Sequence, residues 1–135
     1  AIGGLPEPAD GECHWLTPDT RTSRAWYATD PTKDPQGCFR HAYQRLFGKD
    51  ARYMWFKLSP NAPCPTVCAK VPTLFRWDAP RTLSLAELRR VSTFPDDFEL
   101  PGTSFKQRWE RIGRSVPPLM MRHIAETIAT EILAP

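Results

Sequence analysis

No stretch of this 135-residue chain approaches the roughly 18 consecutive apolar residues of a transmembrane helix, so no segment reads as a membrane span. The opening "AIGGLPEPADGE" has neither a basic flank nor an apolar core, so it does not read as a signal peptide. Cys-x-x-Cys pairs are missing as well; the four cysteines stand at 13, 38, 64 and 68. With nothing pointing to secretion, free thiols in a reducing cytoplasm are expected, and a cytoplasmic location with them. No internal repeat and no low-complexity tract is visible. Strong charge of one sign is lacking too: 18 Lys and Arg against 15 Asp and Glu give +3 and a pI near 8.8. That permits a polyanionic partner without requiring one.

Proline is abundant, with 15 residues, most of them at or before Pro101. Each removes a backbone donor and clashes with a preceding helical turn, so that part of the chain cannot be long helix. Residues 1–80 are expected to be irregular with short strands. "GGLPEPADGE" and "TDPTKDPQG" are turn-rich, and "HWLTPDTRTSRAWYA" carries aromatics without a clean period. One short helix is predicted over 39–47, where Phe39, Tyr43, Leu46 and Phe47 share a face and Gly48 stops it. Strands are predicted at 52–58 and 65–69, the second placing Cys64, Thr66 and Cys68 on one face.

Residues 81–135 are punctuated differently. "SLAE" at 84–87 and "SFKQ" at 104–107 both read as capping boxes. The first helix is predicted to offer Leu85, Leu88 and Val91 to a core and to stop before Pro95. The second offers Phe105, Trp109 and Ile112 and ends at Gly113. A third starts at Pro117-Pro118 and carries Met120, Ile124, Ile128 and Ile132 in one row.

This order of pieces resembles the last two conserved blocks of DNA cytosine-5 methyltransferases. Arg81, Thr82-Leu83, Glu87 and Phe94-Pro95-Asp96 match the first block. Gly113-Arg114-Ser115-Val116-Pro117 matches the second, which normally reads Gly-Asn-Ser/Ala-Val-Pro. "NAPCPTVCA" is similar to the Pro-Thr-aliphatic element of the family's target-recognition region. The resemblance implies an α+β architecture: an irregular, β-containing recognition region at 1–80, then three helices at 81–135. These helices would complete a Rossmann-like methyltransferase domain supplied elsewhere. It implies double-stranded DNA as a partner, with Thr66 as the best candidate for a backbone contact and Arg81 as a second candidate or a brace. It implies S-adenosylmethionine as cofactor, its pocket mostly outside this chain, flanked here by Phe94, Arg114, Ser115 and Val116.

The family binds its cofactor through Phe-x-Gly-x-Gly and attacks cytosine with the thiolate of Pro-Cys-Gln, assisted by Glu-Asn-Val. The 135 residues contain none of these. No catalytic residue is therefore expected in this chain, which should be inactive alone. A catalytic methyltransferase polypeptide, or a missing N-terminal region, is the implied partner. The alternative is a non-catalytic DNA-binding or regulatory module derived from such an enzyme.

Pro63-Cys64 invites a nucleophile, yet Cys64 precedes Pro65 and has no base beside it, so an inert strand residue is the expectation. Cys13-His14, Cys38-x-x-His41 and Cys64-x-x-x-Cys68 match no established zinc spacing, and no metal ligand is assigned. Arg21, Arg24, Lys33, Arg40, Arg45, Lys49 and Arg52 would hold phosphates if the first half lines DNA; otherwise they are a solvated surface. Trp15, Trp26, Tyr27 and Trp55 could stack on bases, but the core of a region poor in Leu and Ile is the expectation for them. Arg114 departs from the family's Asn. It would either face the negative end of the preceding helix, or reach a cofactor carboxylate, or mark a degraded site.

Overall fold

The computed structural model describes residues 4–9, 11–34, 37–50 and 55–133. Among these the domain is small, mixed and mostly helical. Its elements are α1 (Arg21–Ala28), α2 (Phe39–Phe47), β1 (Phe56–Lys57), β2 (Leu74–Phe75), α3 (Leu85–Val91), α4 (Phe105–Arg114) and α5 (Pro118–Ile128). A π-helical turn, Ala129–Leu133, continues α5. The two short strands pair in parallel, Phe56 opposite Leu74 and Lys57 opposite Phe75.

The first half is more helical than its sequence suggests. α1 begins where the Thr20 hydroxyl accepts the Ser23 amide. It buries Ala25 and Trp26 against Phe39 of α2 and Phe75 of β2. Its aromatics escape a periodicity search because only one face of an eight-residue helix is buried. α2 runs as expected, and Gly48, left-handed at φ 63, returns its amide to the Gln44 carbonyl. The strand expected at 65–69 is not formed. That segment carries no regular structure and bends at Ala69, and the second strand lies later, at Leu74–Phe75. The strand expected at 52–58 is realised at Phe56–Lys57 within the described residues; 51–54 lie outside them.

The larger core joins both sides of residue 80: Cys38, Phe56, Leu58 and Leu74 pack with Leu83, Leu88, Trp109 and Ile112. The chain enters α3 through a buried ion pair. Arg81 is 0% exposed, and its guanidinium meets Glu87 at 2.8 and 3.1 Å. Glu87 also accepts from the Ser84 amide and from Arg76, while the Ser84 hydroxyl accepts the Glu87 amide. The predicted capping box is thus one arm of a larger network. Burial alone would push the Glu87 carboxyl up. Hydrogen bonds from Arg81 and Ser84 and the nearby positive charge outweigh that and hold it below the usual range.

α3 ends in a Schellman turn. The Phe94 amide reaches the Arg89 carbonyl and the Thr93 amide reaches Arg90. The left-handed position is filled by Thr93 at φ 63, a β-branched residue for which this conformation costs about 1–2 kcal/mol. The Thr93 hydroxyl accepts the Leu119 amide in the first turn of α5. The strained residue is therefore also the cap that ties α5 to the domain.

α4 docks through Trp109, fully buried, whose indole N–H donates to the Cys68 carbonyl at 2.8 Å. Burying a ring of that size contributes up to about 4–6 kcal/mol. Gly113 was expected to terminate this helix, but α4 runs through it to Arg114. The glycine serves a close approach instead: a Cβ there would lie 2.6 Å from the Ala69 Cα and 2.8 Å from its nitrogen. The second capping box is half realised. Ser104 accepts the Gln107 amide, while the Gln107 side chain reaches Thr103 rather than Ser104.

α5 has no buried residue. Leu119, Met120, Met121, Ile124, Ile128, Ile132 and Leu133 are 42–72% exposed, an apolar face that nothing described in this chain covers.

Two stability outcomes follow. Glu87→Gln should destabilise the domain by about 3 kcal/mol at neutral pH, because Arg81 is left buried without its counter-charge. Glu87 has a depressed folded-state pKa, so its contribution is present above the unfolded value, about 4.3, and is lost as pH falls through the folded value. The stability gap between wild type and variant, followed by chemical denaturation, should narrow below about pH 4; a gap constant into strong acid would contradict the network. Gly113→Ala offers helix propensity of about 1 kcal/mol but meets backbone atoms that cannot step aside, an overpacking cost of about 1–3 kcal/mol. A lowered denaturation midpoint is expected, and a raised one would contradict the close approach.

Candidate functional site

The docking of α4 on Cys68 and Ala69 leaves a cleft of about 320 Å³ beside the Pro65-Thr66-Val67 segment. One wall is that segment, with Thr66 exposed. The opposite wall is the end of α3, Val91 and Ser92, and the floor comes from Ile112, Gly113, Ser115 and Pro117. Two elements far apart in sequence therefore meet because Gly113 admits the Ala69 backbone. The Ser92 hydroxyl is buried at this cleft without a hydrogen-bond partner, a group that costs about 1–3 kcal/mol when left unsatisfied. Ser115 spends its amide and its hydroxyl on the Ile112 carbonyl, the latter at 2.7 Å, which finishes α4 and sets the path to Pro117.

Of the residues expected near a cofactor, only Ser115 lines this cleft. Phe94 is half-buried against the larger core and stacks obliquely on Phe98 at 5.0 Å. Val116 is 49% exposed. Arg114 occupies the last helical residue of α4 and pairs with Glu110 one turn back, Nη2 to Oε1 at 2.7 Å. No left-handed backbone is asked of it, so the penalty expected for Arg in a glycine-like turn does not arise. Its place in the last turn, toward water, is the one in which a cation complements the helix dipole. These four residues offer an edge to a ligand and no enclosed pocket.

Thr66 and Arg81, the two DNA candidates, are separated by environment. Thr66 is open to solvent; Arg81 is in the interior, committed to Glu87 and the Thr82 carbonyl, beneath Trp15 at 5.9 Å.

A second, larger hollow of about 510 Å³ lies on the other side of Cys64, between Leu58, Pro63, Trp77 and Val91. Cys64 borders both hollows. It sits in irregular chain rather than in the strand expected there, and its thiol donates to the Pro65 carbonyl at 3.2 Å. Although the residue retains solvent access, desolvation of the sulfur pushes its pKa up to about 11, the reverse of what an attacking thiolate needs. Cys13 and Cys38 are buried, and Cys68 is exposed. Among the described residues no three Cys, His, Asp or Glu side chains gather as a metal site.

The aromatics expected in the core divide. Trp26 is buried and Trp55 packs beside it, whereas Trp15 and Tyr27 are 60% and 69% exposed. Sequence reasoning also missed Ser92 and Gly113 as cleft residues. The Gly was legible as punctuation, but its contact with Ala69 spans 44 positions and leaves no local signal. No helix among the described residues is long and apolar enough to cross a membrane.

Comparison with known proteins matches the C-5 cytosine-specific DNA methylase family over residues 19–130. The chain is 33% identical over 84 residues to the putative type II methyltransferase M.MJ0563P of Methanocaldococcus jannaschii, covering 62% of this chain and 26% of that protein. It is 36% identical over 78 residues to the type II methyltransferase M.AgeI of Thalassovita gelatinovora, covering 42% and 18%. With the type II methyltransferase M.AquIB of Picosynechococcus sp. it shares 32% identity over 100 residues, 66% of this chain and 69% of that protein. The chain thus spans about a quarter or less of the first two relatives and more than two thirds of the third. No solved structure matches it. The cleft, the Arg81–Glu87 brace and the Phe94-Pro95-Asp96 turn all fall within the matched residues, and the chain belongs to the C-5 cytosine-specific DNA methylase family.

Proposed function

We propose that this chain is the target-recognition and C-terminal portion of a DNA cytosine-5 methyltransferase, working only together with a catalytic part. The observation that carries the proposal is α5. A helix that buries none of its apolar face, joined to a domain bearing the family's last two blocks, needs a surface to lie on. Pro-Cys-Gln, Phe-x-Gly-x-Gly and Glu-Asn-Val are absent from these 135 residues, so the nucleophile and most of the cofactor pocket must come from that surface's owner. M.AquIB is matched over 69% of its length by 66% of this chain, and the catalytic part is then either a second polypeptide or an extension of this one.

On this reading residues 1–80 face duplex DNA and residues 81–135 attach to the catalytic part. Thr66 contacts the DNA backbone, while Arg81, which has no open surface, braces the recognition region from within. Phe94, Ser115 and Val116 supply one edge of the S-adenosylmethionine site. That cofactor provides the methyl group; this chain's contribution is shape and apolar contact at the margin. Arg114, held by Glu110, is explained as a helix-end cation, so it does not by itself argue for a degraded, non-catalytic descendant.

The test is isolation from the native source under gentle conditions, with co-purifying polypeptides identified by mass spectrometry. A stoichiometric partner, or an extension of the same chain, carrying Pro-Cys-Gln and Phe-x-Gly-x-Gly is expected. Ile124→Asp with Ile128→Asp should abolish association between separate polypeptides while changing domain stability by less than about 0.5 kcal/mol, since neither side chain is buried. A monomer with no such partner and no such extension would refute the proposal.

A further inference from the structure

Five exposed cations among the described residues have a carboxylate partner. Lys33, Arg40, Arg45, Arg114 and Arg122 hold Asp30, Asp50, Asp34, Glu110 and Glu126 at 2.7–3.4 Å. Among the exposed cations without one, a group that also includes Lys49, Lys70, Lys106, Arg108 and Arg111, Arg21 and Arg24 stand together. They lie one turn apart on the exposed face of α1, and among the described residues no carboxylate is within ion-pair distance of either. Both guanidinium groups instead lie over one ring, that of Phe47 at the end of α2, at 5.9 and 5.7 Å from its centroid. Phe47 also packs against Tyr43, ring centroids 4.7 Å apart. Lys49, exposed, follows two residues on, and the adjacent Asp50 is taken up by Arg40 in a bidentate pair.

A cation–π contact holds a guanidinium near a ring without using its N–H donors, which remain available for bidentate contacts to phosphate oxygens. Two such groups, pre-positioned on a shared ring and free of internal neutralisation, make a surface for closely spaced anions. We propose that Arg21 and Arg24 on Phe47, with Lys49 beside them, form a clamp on the DNA phosphate backbone, positioning the duplex without reading its sequence. The proposal rests on the DNA-recognition reading above and adds the side chains and the kind of contact. Duplex DNA is preferred over an acidic protein surface because phosphates recur along it at a spacing that lets neighbouring arginines engage together.

The test is fluorescence anisotropy of the full chain with labelled duplexes of unrelated sequence, titrated at several salt concentrations. Arg21→Ala with Arg24→Ala should lower the slope of log K against log salt by about 2, one unit for each lost phosphate contact, and weaken all duplexes by a similar factor. A control of equal charge loss, Lys106→Ala with Arg111→Ala, both exposed on α4 in the part that does not face DNA on this reading, should leave the slope unchanged. Circular dichroism should show both variants folded, since all four side chains are on the surface. An unchanged slope in the Arg21, Arg24 variant, with binding retained, would overturn the clamp while leaving DNA recognition standing. Loss of the catalytic partner rather than of DNA affinity would assign the pair to a protein surface and overturn it too. If the unsubstituted chain shows no salt-dependent binding to any duplex, both the clamp and the recognition reading fail.

Discussion

The interaction on which the rest of this domain leans is the buried pairing of Arg81 with Glu87. A guanidinium and a carboxylate taken out of water cost several kcal/mol each, and only close geometry with further hydrogen bonds offsets that. Here Glu87 receives Arg81 on both oxygens, Arg76 on one and the Ser84 amide on the other. The same carboxylate starts α3, orders the turn from Arg76 to Ser84 and so fixes where Leu83 meets Leu74 across the core. The first half of the chain is held through the same turn: Leu16 donates to the Pro80 carbonyl, and Thr82 to that of His14. Removing the pair would loosen the junction at which the two halves of the chain share one core.

From that junction the geometry of the candidate site follows in steps. α3 and α4 pack together, α4 buries Trp109 against the Cys68 carbonyl, and Gly113 lets the Ala69 backbone come within contact. The Pro65-Thr66-Val67 segment is thereby set opposite Ser92 and Ser115. At this same end of α3, Thr93 carries backbone strain and presents its hydroxyl to α5. That single side-chain bond, together with Pro117, aims a helix whose apolar face is left uncovered.

The helical punctuation of the second half was legible because it is local: Ser84 with Glu87, Ser104 with Gln107, and Pro117-Pro118 each act within four residues. The uncovered row on α5 was legible too, since its period needs no tertiary information. What the sequence hid was everything set by contacts across the chain. α1 escaped notice because a Thr20 cap and one buried face in eight residues are a weak signal beside so many prolines. The strand placed at 65–69 went instead to Leu74–Phe75, because β1 pairs with the segment that the Arg81 turn brings back. Gly113 reads as a stop in sequence, yet acts as a contact in space. Arg114 looked anomalous only while its backbone was assumed to leave the helix.

The measurement that bears most directly on this account is transfer of a labelled methyl group from S-adenosylmethionine to cytosine in duplex DNA. It would be made with the isolated chain, with the catalytic part alone, and with the two combined. The account predicts no transfer by the chain, little by the catalytic part, and full transfer on recombination. Transfer by the isolated chain, or a catalytic part that is indifferent to its presence, would contradict it.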